Sequence, residues 1–244
     1  MLSFLMIGQS NMAGRGDPAD VEPIANERLY VLRNGRWQKL FTPVNFDRPF
    51  SGVSLAESFA DACAGYYGED VGLIPCADGG TKLSQWMPGE VLYDHAVFQA
   101  KLAMRSSTLA GVLWHQGESD SKDGRYKTYE ENCRAMFQSL RRELGLDDTP
   151  FIVGGIGDFI AGYKDGAYGE YERINEALEA LTSDGRIGFA SAKGLGCKPD
   201  HLHFNASACR EFGLRYFEQF KRLYKKRGES DGVYNDGLSE MERL

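Results

Sequence analysis

At 244 residues, with 42% hydrophobic and 26% charged side chains, the chain is long enough for one sizeable core and too apolar to be disordered. A formal net charge of -7 with no basic stripe argues against nucleic acid and against an anionic membrane surface as partners. No apolar run approaches the roughly eighteen residues of a membrane span, and five widely spaced cysteines without a C-x-x-C pair point away from a disulfide framework or a structural zinc.

The chain opens with a short apolar strand at residues 4–7, followed by Gly8, Gln9, Ser10 and Asn11. No basic region precedes it, so the opening reads as a first strand and not as a signal peptide, and the expected location is cytoplasmic. Residues 29–40 predict a hairpin turning at Asn34-Gly35. A helix begins after Ser54, with Glu57 completing a capping box, and ends at Gly65 or Gly68. A strand at 71–77, a helix at 97–106 and a strand from Gly111 follow. Residues 129–144 carry an apolar stripe of Cys133, Met136, Phe137, Leu140 and Leu144, which predicts a helix. A strand at 151–156, a helix at 171–181, a strand at 187–190 and a helix at 206–224 complete the pattern. Residues 228–244 read as a poorly packed tail behind a single domain over 1–227. Buried strands alternating with helices predict an α/β fold: a three-layer α/β/α sandwich, flavodoxin-like, on a five-stranded parallel sheet.

In such a sheet, sites form beyond the carboxyl ends of the strands. The residues there are Ser10 and Asn11, then Asp78, Gly79 and Gly80, then His115, Gln116, Glu118 and Asp120, then Asp158, and finally Asp200, His201 and His203. This inventory fits acyl transfer. A serine hydroxyl needs a base to remove its proton, and an imidazole titrates near working pH. A carboxylate fixes the imidazole's tautomer, while backbone N–H groups and a neutral amide stabilise the oxyanion. Ser10 is the candidate nucleophile and His203 the base. Asp200, three residues earlier, can fold back onto His203; His201 competes as base but stands too close to Asp200 in sequence. The oxyanion donors are the Ser10 N–H, an N–H at Gly79 or Gly80, and the Gln116 side chain. Position 12 is Met, so this is not the G-x-S-x-G elbow. His115, ending a buried strand, reads as structural.

Four segments, GQSNMAGRG, GGT followed by Trp86, WHQGESD and DHLHF, occur in that order between Gly8 and Phe204. Together they resemble the sialate O-acetylesterase and acetylxylan esterase group: carbohydrate esterase family six and its relatives in the serine-glycine-asparagine-histidine hydrolase superfamily. The resemblance implies a flavodoxin-like sheet and hydrolysis of acetyl esters on sugars. It implies Ser10 as nucleophile, His203 as base, Gln116 in the oxyanion site, and neither metal nor other cofactor. It also brings in Glu118 as an alternative or additional acid partner for His203; spacing favours Asp200. Asn11 and Trp86 are candidates for substrate contact, with a turn cap and core packing as their plainer roles. Arg15 and Arg48 are candidates for a carboxylated sugar, or simply surface charges. Secreted members of the group carry signal peptides and carbohydrate-binding modules. The chain as given has neither, which favours small acetylated sugars as the expected partner over polymeric xylan. The competing readings are a lipase or thioesterase on the same scaffold, and a catalytically silent sugar-binding module.

Overall fold

The structure is a computed structural model and describes residues 1–225, so the tail expected at 228–244 lies outside the described residues. Strand β1 (Leu2–Gly8) shows how its sheet is buried. Successive side chains of a strand point to opposite faces. Leu2, Phe4 and Met6 enter one apolar core, and Leu5 and Ile7 enter a second. A strand covered on both faces belongs at the centre of a parallel sheet.

The remaining strands are β2 (Leu29–Arg33), β3 (Arg36–Lys39), β4 (Val71–Pro75), β5 (Thr108–His115), β6 (Phe151–Gly154) and β7 (Ile187–Ala190). They form one seven-stranded sheet in the order β3-β2-β4-β1-β5-β6-β7. This corrects the five-stranded, all-parallel expectation. The predicted hairpin joins the sheet: β2 lies parallel to β4, and β3 closes that edge antiparallel to β2. The reason is apolar burial. Leu29, Val31 and Leu32 are buried on β2, and the Trp37 ring packs so closely over Gly72 of β4 that a Cβ there would lie 2.6 Å from it. The five strands foreseen from the sequence stand in the order second, first, third, fourth, fifth, which is that of the doubly wound flavodoxin-type sheet.

Helices cover both faces. α1 (Ser10–Ala13), α2 (Leu55–Tyr67) and α6 (Ala206–Leu223) contribute to the core containing Phe4; α3 (Val91–Ala103), α4 (Tyr129–Leu144) and α5 (Tyr171–Ala180) contribute to the core containing Ile7. The Ser54–Glu57 capping box starts α2, and Gly68 ends it in the left-handed conformation. α3 begins earlier than its apolar pattern indicates, because Val91 in its first turn is 79% exposed and breaks the stripe. No described helix is long and apolar enough to cross a membrane.

β4 and β5 flank β1 on opposite sides, so the chain leaves the sheet in two directions there and a crevice opens at the carboxyl end of β1. The register sets Gly8 beside His115. Ser10, the loop after β4 and the loop after β5 therefore meet at one edge.

Candidate active site

Gly8 explains the bend that presents Ser10. Its φ is +128°, and a Cβ there would sit 2.0 Å from the His115 carbonyl oxygen. Only glycine allows this approach. The Gln9 N–H then donates to that carbonyl at 2.9 Å, and Ser10 becomes the first residue of α1. From the other side, the loop between β7 and α6 brings in His203. Asp200 Oδ1 accepts the backbone N–H groups of Leu202 and His203, each at 3.0 Å. That local turn holds its other oxygen 2.6 Å from His203 Nδ1, and His203 Nε2 lies 3.1 Å from Ser10 Oγ. An ionised carboxylate only accepts, so Nδ1 carries a hydrogen and Nε2 is free to accept from the hydroxyl. Burial opposes ionisation of Asp200, but the hydrogen bonds from His203 and the two amides outweigh it and hold the carboxyl below its ordinary value. His201 lies against Gly162 instead.

Glu118 is placed elsewhere than on His203. It is buried, and its Oε1 meets His115 Nε2 at 3.0 Å and Asn11 Nδ2 at 2.5 Å. Burial alone would push the Glu118 carboxyl up; the charge and hydrogen bond of His115 and the Asn11 amide overcome it and lower it. The expectation that Glu118 pairs with His203 is thus corrected: the carboxylate in contact with His203 Nδ1 is that of Asp200. Asn11 is corrected as well. It is buried and does not line the cleft. Its Nδ2 also donates to the Leu202 carbonyl at 3.1 Å, and its Oδ1 accepts the Phe204 N–H at 3.2 Å. One side chain, next in sequence to Ser10, therefore grips both neighbours of His203.

On the oxyanion side, the Gly79 N–H donates to Asp47 Oδ2 at 2.9 Å, whereas the N–H groups of Ser10 and Gly80 have no acceptor among the described residues. Gln116 is a correction. It is completely buried, and its amide nitrogen faces three acceptors: Asp120 Oδ2 at 2.6 Å, the Thr81 carbonyl at 3.1 Å and Gln9 Oε1 at 3.3 Å. Two hydrogens cannot serve these and an oxyanion too. The amide that lines the cleft belongs to Gln9. Its Oε1 accepts from the Ser119 N–H at 3.2 Å and from Gln116, which orients its NH2 away from them. Sequence reasoning missed Gln9, although it stands next to the serine. Trp86 is likewise no cleft residue: it is buried against Trp114 edge to face, and its N–H donates to Thr81 Oγ1 at 3.1 Å.

The cleft has a volume of about 320 Å3. Ser10, His203, Gln9, Gly79 and Gly80 lie on it, with the rings of Phe50, Tyr163 and Tyr168 and the side chains of Arg15 and Arg48. Arg15 is 4% exposed and bound bidentately to Asp47 at 2.6 and 3.0 Å. Burial works against the Asp47 carboxylate, but Arg15, Ser51 and the Gly79 amide lower its pKa. Arg48 meets Asp78 at 2.8 Å and the Gly79 carbonyl at 3.0 Å.

A doubly wound α/β sheet with this cleft at its switch point is the setting of an ester hydrolase, and comparison with known proteins agrees. The family model described as carbohydrate esterase, sialic acid-specific acetylesterase matches residues 2–222, and the chain belongs to that family. It is 30% identical over 235 residues to the Arabidopsis thaliana protein named "Probable carbohydrate esterase", with 86% of each covered. A solved structure of an Arabidopsis thaliana protein superposes with a TM-score of 0.81 at 28% identity, covering 92% of this chain and 99% of that one. A carbohydrate acetylesterase from Xanthomonas citri shares the fold at a TM-score of 0.73 and 21% identity, over 91% of this chain and 56% of its own.

Proposed function

We propose that the chain is a serine esterase that removes acetyl groups from O-acetylated sugars, of the xylo-oligosaccharide or sialic acid type, through an acyl-enzyme. The observation that carries this is the unbroken hydrogen-bonded line from Ser10 Oγ through His203 to Asp200 at the cleft floor. His203 Nε2 takes the Ser10 proton as Oγ attacks the acetyl carbonyl carbon. Asp200 holds the imidazole in the required tautomer and stabilises its protonated form. The oxyanion then lies among the Ser10 N–H, the Gly80 N–H and the Gln9 amide, each worth roughly 2.7–4 kcal/mol of barrier. Collapse breaks the bond to the sugar oxygen, which takes the proton from His203 Nε2. A water molecule repeats the attack on the acetylated serine and releases acetate.

A cleft of about 320 Å3 is at the small end for a ligand site and suits a short sugar better than a long acyl chain. The test is turnover of p-nitrophenyl acetate and octanoate by the wild type and Ser10→Ala. Acetate should be strongly preferred, and Ser10→Ala should lose at least about 10⁴-fold in kcat with an unchanged melting temperature. Full activity in Ser10→Ala would overturn the mechanism, and faster turnover of octanoate would turn the reading toward a lipase.

A further inference from the structure

We propose that the cleft selects acetylated sugars in their ring form, and that Phe50 is a specificity-determining residue whose ring carries the C–H face of the pyranose next to the ester. This inference rests on the esterase reading above. Phe50 is 68% exposed, and a phenyl ring left in water forgoes the stabilisation that burial would give. Its backbone is nevertheless held firmly. The Ser51 N–H donates to the Arg48 carbonyl at 3.1 Å, and the Arg48 N–H to Ser51 Oγ at 3.2 Å. Just beyond, the N–H groups of Gly52 and Val53 donate to the Gly14 and Gly16 carbonyls at 3.1 and 2.8 Å. The Arg15 guanidinium lies over the ring, 5.3 Å from its centroid, so the ring leans on the protein with one face and leaves the other open. An open ring on a pinned turn at the edge of the cleft has little freedom to lose when a ligand covers it. Phe46, just as exposed, does not line the cleft.

The rings of Tyr163 and Tyr168 come from the other side of β1. The loop of Phe50 is tied to the loop after β4 through Asp47 and Gly79, whereas the two tyrosines follow β6, and β4 and β6 lie on opposite sides of β1 in the sheet. The tyrosine rings pack 5.0 Å apart, and both line the cleft. Between them Lys164 and Asp165 take φ of +47° and +54°, a left-handed conformation uncommon outside glycine. Strain kept beside a cleft points to a use for the side chains it presents. Neither phenol hydroxyl makes a hydrogen bond among the described residues, so each can meet a sugar hydroxyl while its ring meets C–H groups. A pyranose suits these walls. Its axial C–H bonds gather on a face, which the negative face of an aromatic ring attracts, and its hydroxyls stand at the rim. That face is present whether or not the sugar also carries a carboxylate. An open-chain polyol lacks it and must freeze its torsions to bind.

The test compares methyl tri-O-acetyl-β-xylopyranoside with penta-O-acetylxylitol, its open-chain counterpart, and with ethyl acetate, which has no sugar. Per acetyl group, kcat/KM should favour the pyranoside over the open chain by at least about tenfold. Phe50→Ala should lower the ratio of pyranoside to ethyl acetate by at least about tenfold, and Tyr163→Ala should lower it from the facing wall. Phe50→Tyr, which keeps a ring, should restore the ratio, and Phe46→Ala should leave it unchanged. The melting temperature of Phe50→Ala should hold within about 2 °C, because the ring is mostly in water. An open chain turned over as fast as the pyranoside would overturn the proposal, as would equal losses on pyranoside and ethyl acetate in Phe50→Ala. A larger loss on ethyl octanoate than on the pyranoside would also overturn it, by assigning the ring to an acyl chain. If Ser10-dependent turnover of ethyl acetate persists in those cases, only ring selection falls; if no ester is cleaved, the esterase reading falls and this inference with it.

Discussion

Two histidine–carboxylate pairs, each separated by three residues, lie close together in this protein and have opposite surroundings. Asp200 and His203 are on a loop at the cleft, with the Asp200 side chain 42% exposed and a serine hydroxyl on the far imidazole nitrogen. His115 and Glu118 are buried at the end of β5. The far nitrogen of His115 faces the Tyr216 hydroxyl at 3.4 Å, and that hydroxyl donates to the Trp114 carbonyl at 2.8 Å. The same chemical pair is suited to proton transfer in one place and to holding loops together in the other. What separates them is access: a base must reach a substrate, whereas a brace must be shielded from water for its hydrogen bonds to be strong.

The sharpest way to break this comparison is to neutralise each carboxylate in turn. Asp200→Asn should lower kcat on p-nitrophenyl acetate by up to about 10⁴-fold, through loss of the correct tautomer, with little change in melting temperature. Glu118→Gln should do the reverse. It replaces a buried carboxylate that accepts from both His115 and Asn11 by a neutral amide with a single acceptor oxygen, and should cost about 1–3 kcal/mol of stability in urea unfolding, with a much smaller loss of kcat in the folded fraction. If Glu118→Gln abolished turnover at full stability, the two pairs would have to exchange roles.

Much of this was legible in the sequence, and the missed part has a common cause. The meeting of Ser10, Asp200 and His203 could be read because strand ends in a parallel sheet collect at one edge and because a three-residue spacing lets Asp200 fold back locally. Gln116, Asn11 and Trp86 stand at the same edge, but their side chains point into the protein. That direction is decided by partners far away in the chain, such as Thr81 and Asp120 for Gln116 or Leu202 and Phe204 for Asn11. No local pattern encodes it. The hairpin was visible as a hairpin because its Asn34-Gly35 turn is a local signal, while its attachment to β4 depends on a long-range packing contact between Trp37 and Gly72.

Asn11 joins the two pairs, since it binds Glu118 with one end and the backbone on either side of His203 with both. It is a positioning residue, and Asn11→Ala should reduce kcat by about 10²-fold, the loss typical of a small misplacement of a reacting group. KM should change little, because the side chain does not line the cleft. A rise in KM at constant kcat would instead return Asn11 to the substrate-contact role.

The pH dependence of stability sharpens the comparison further. The Glu118 carboxyl lies below its ordinary value of 4.5 in the folded protein. A group with a depressed folded pKa stabilises the fold fully above the unfolded value and loses that contribution as pH falls through the folded one. Wild-type unfolding free energy should therefore decline as pH drops below 4.5. The double variant His115→Gln/Glu118→Gln removes both titratable groups together. It should recover part of the loss seen in Glu118→Gln at neutral pH and show a flatter acid limb. An equally steep limb in the double variant would assign the acid sensitivity to other carboxylates.

The smallest effect concerns the wall facing the nucleophile, where the buried pair Arg15–Asp47 supports the backbone of Gly79. A Cβ on Gly79 would stand 2.6 Å from Arg15 Nη2 and 2.9 Å from Asp47 Oδ2, and neither group can retreat without breaking its partner's hydrogen bonds. Gly79→Ala should thus cost about 1–3 kcal/mol, as overpacking does elsewhere. It should also displace the adjacent Gly80 N–H and lower kcat. In the same loop, Thr81→Ser keeps the hydroxyl that accepts from Trp86 and donates to the Asp78 carbonyl, and should leave both quantities nearly unchanged. If Gly79→Ala were as stable and as active as Thr81→Ser, the Arg15–Asp47 pair would be free to move.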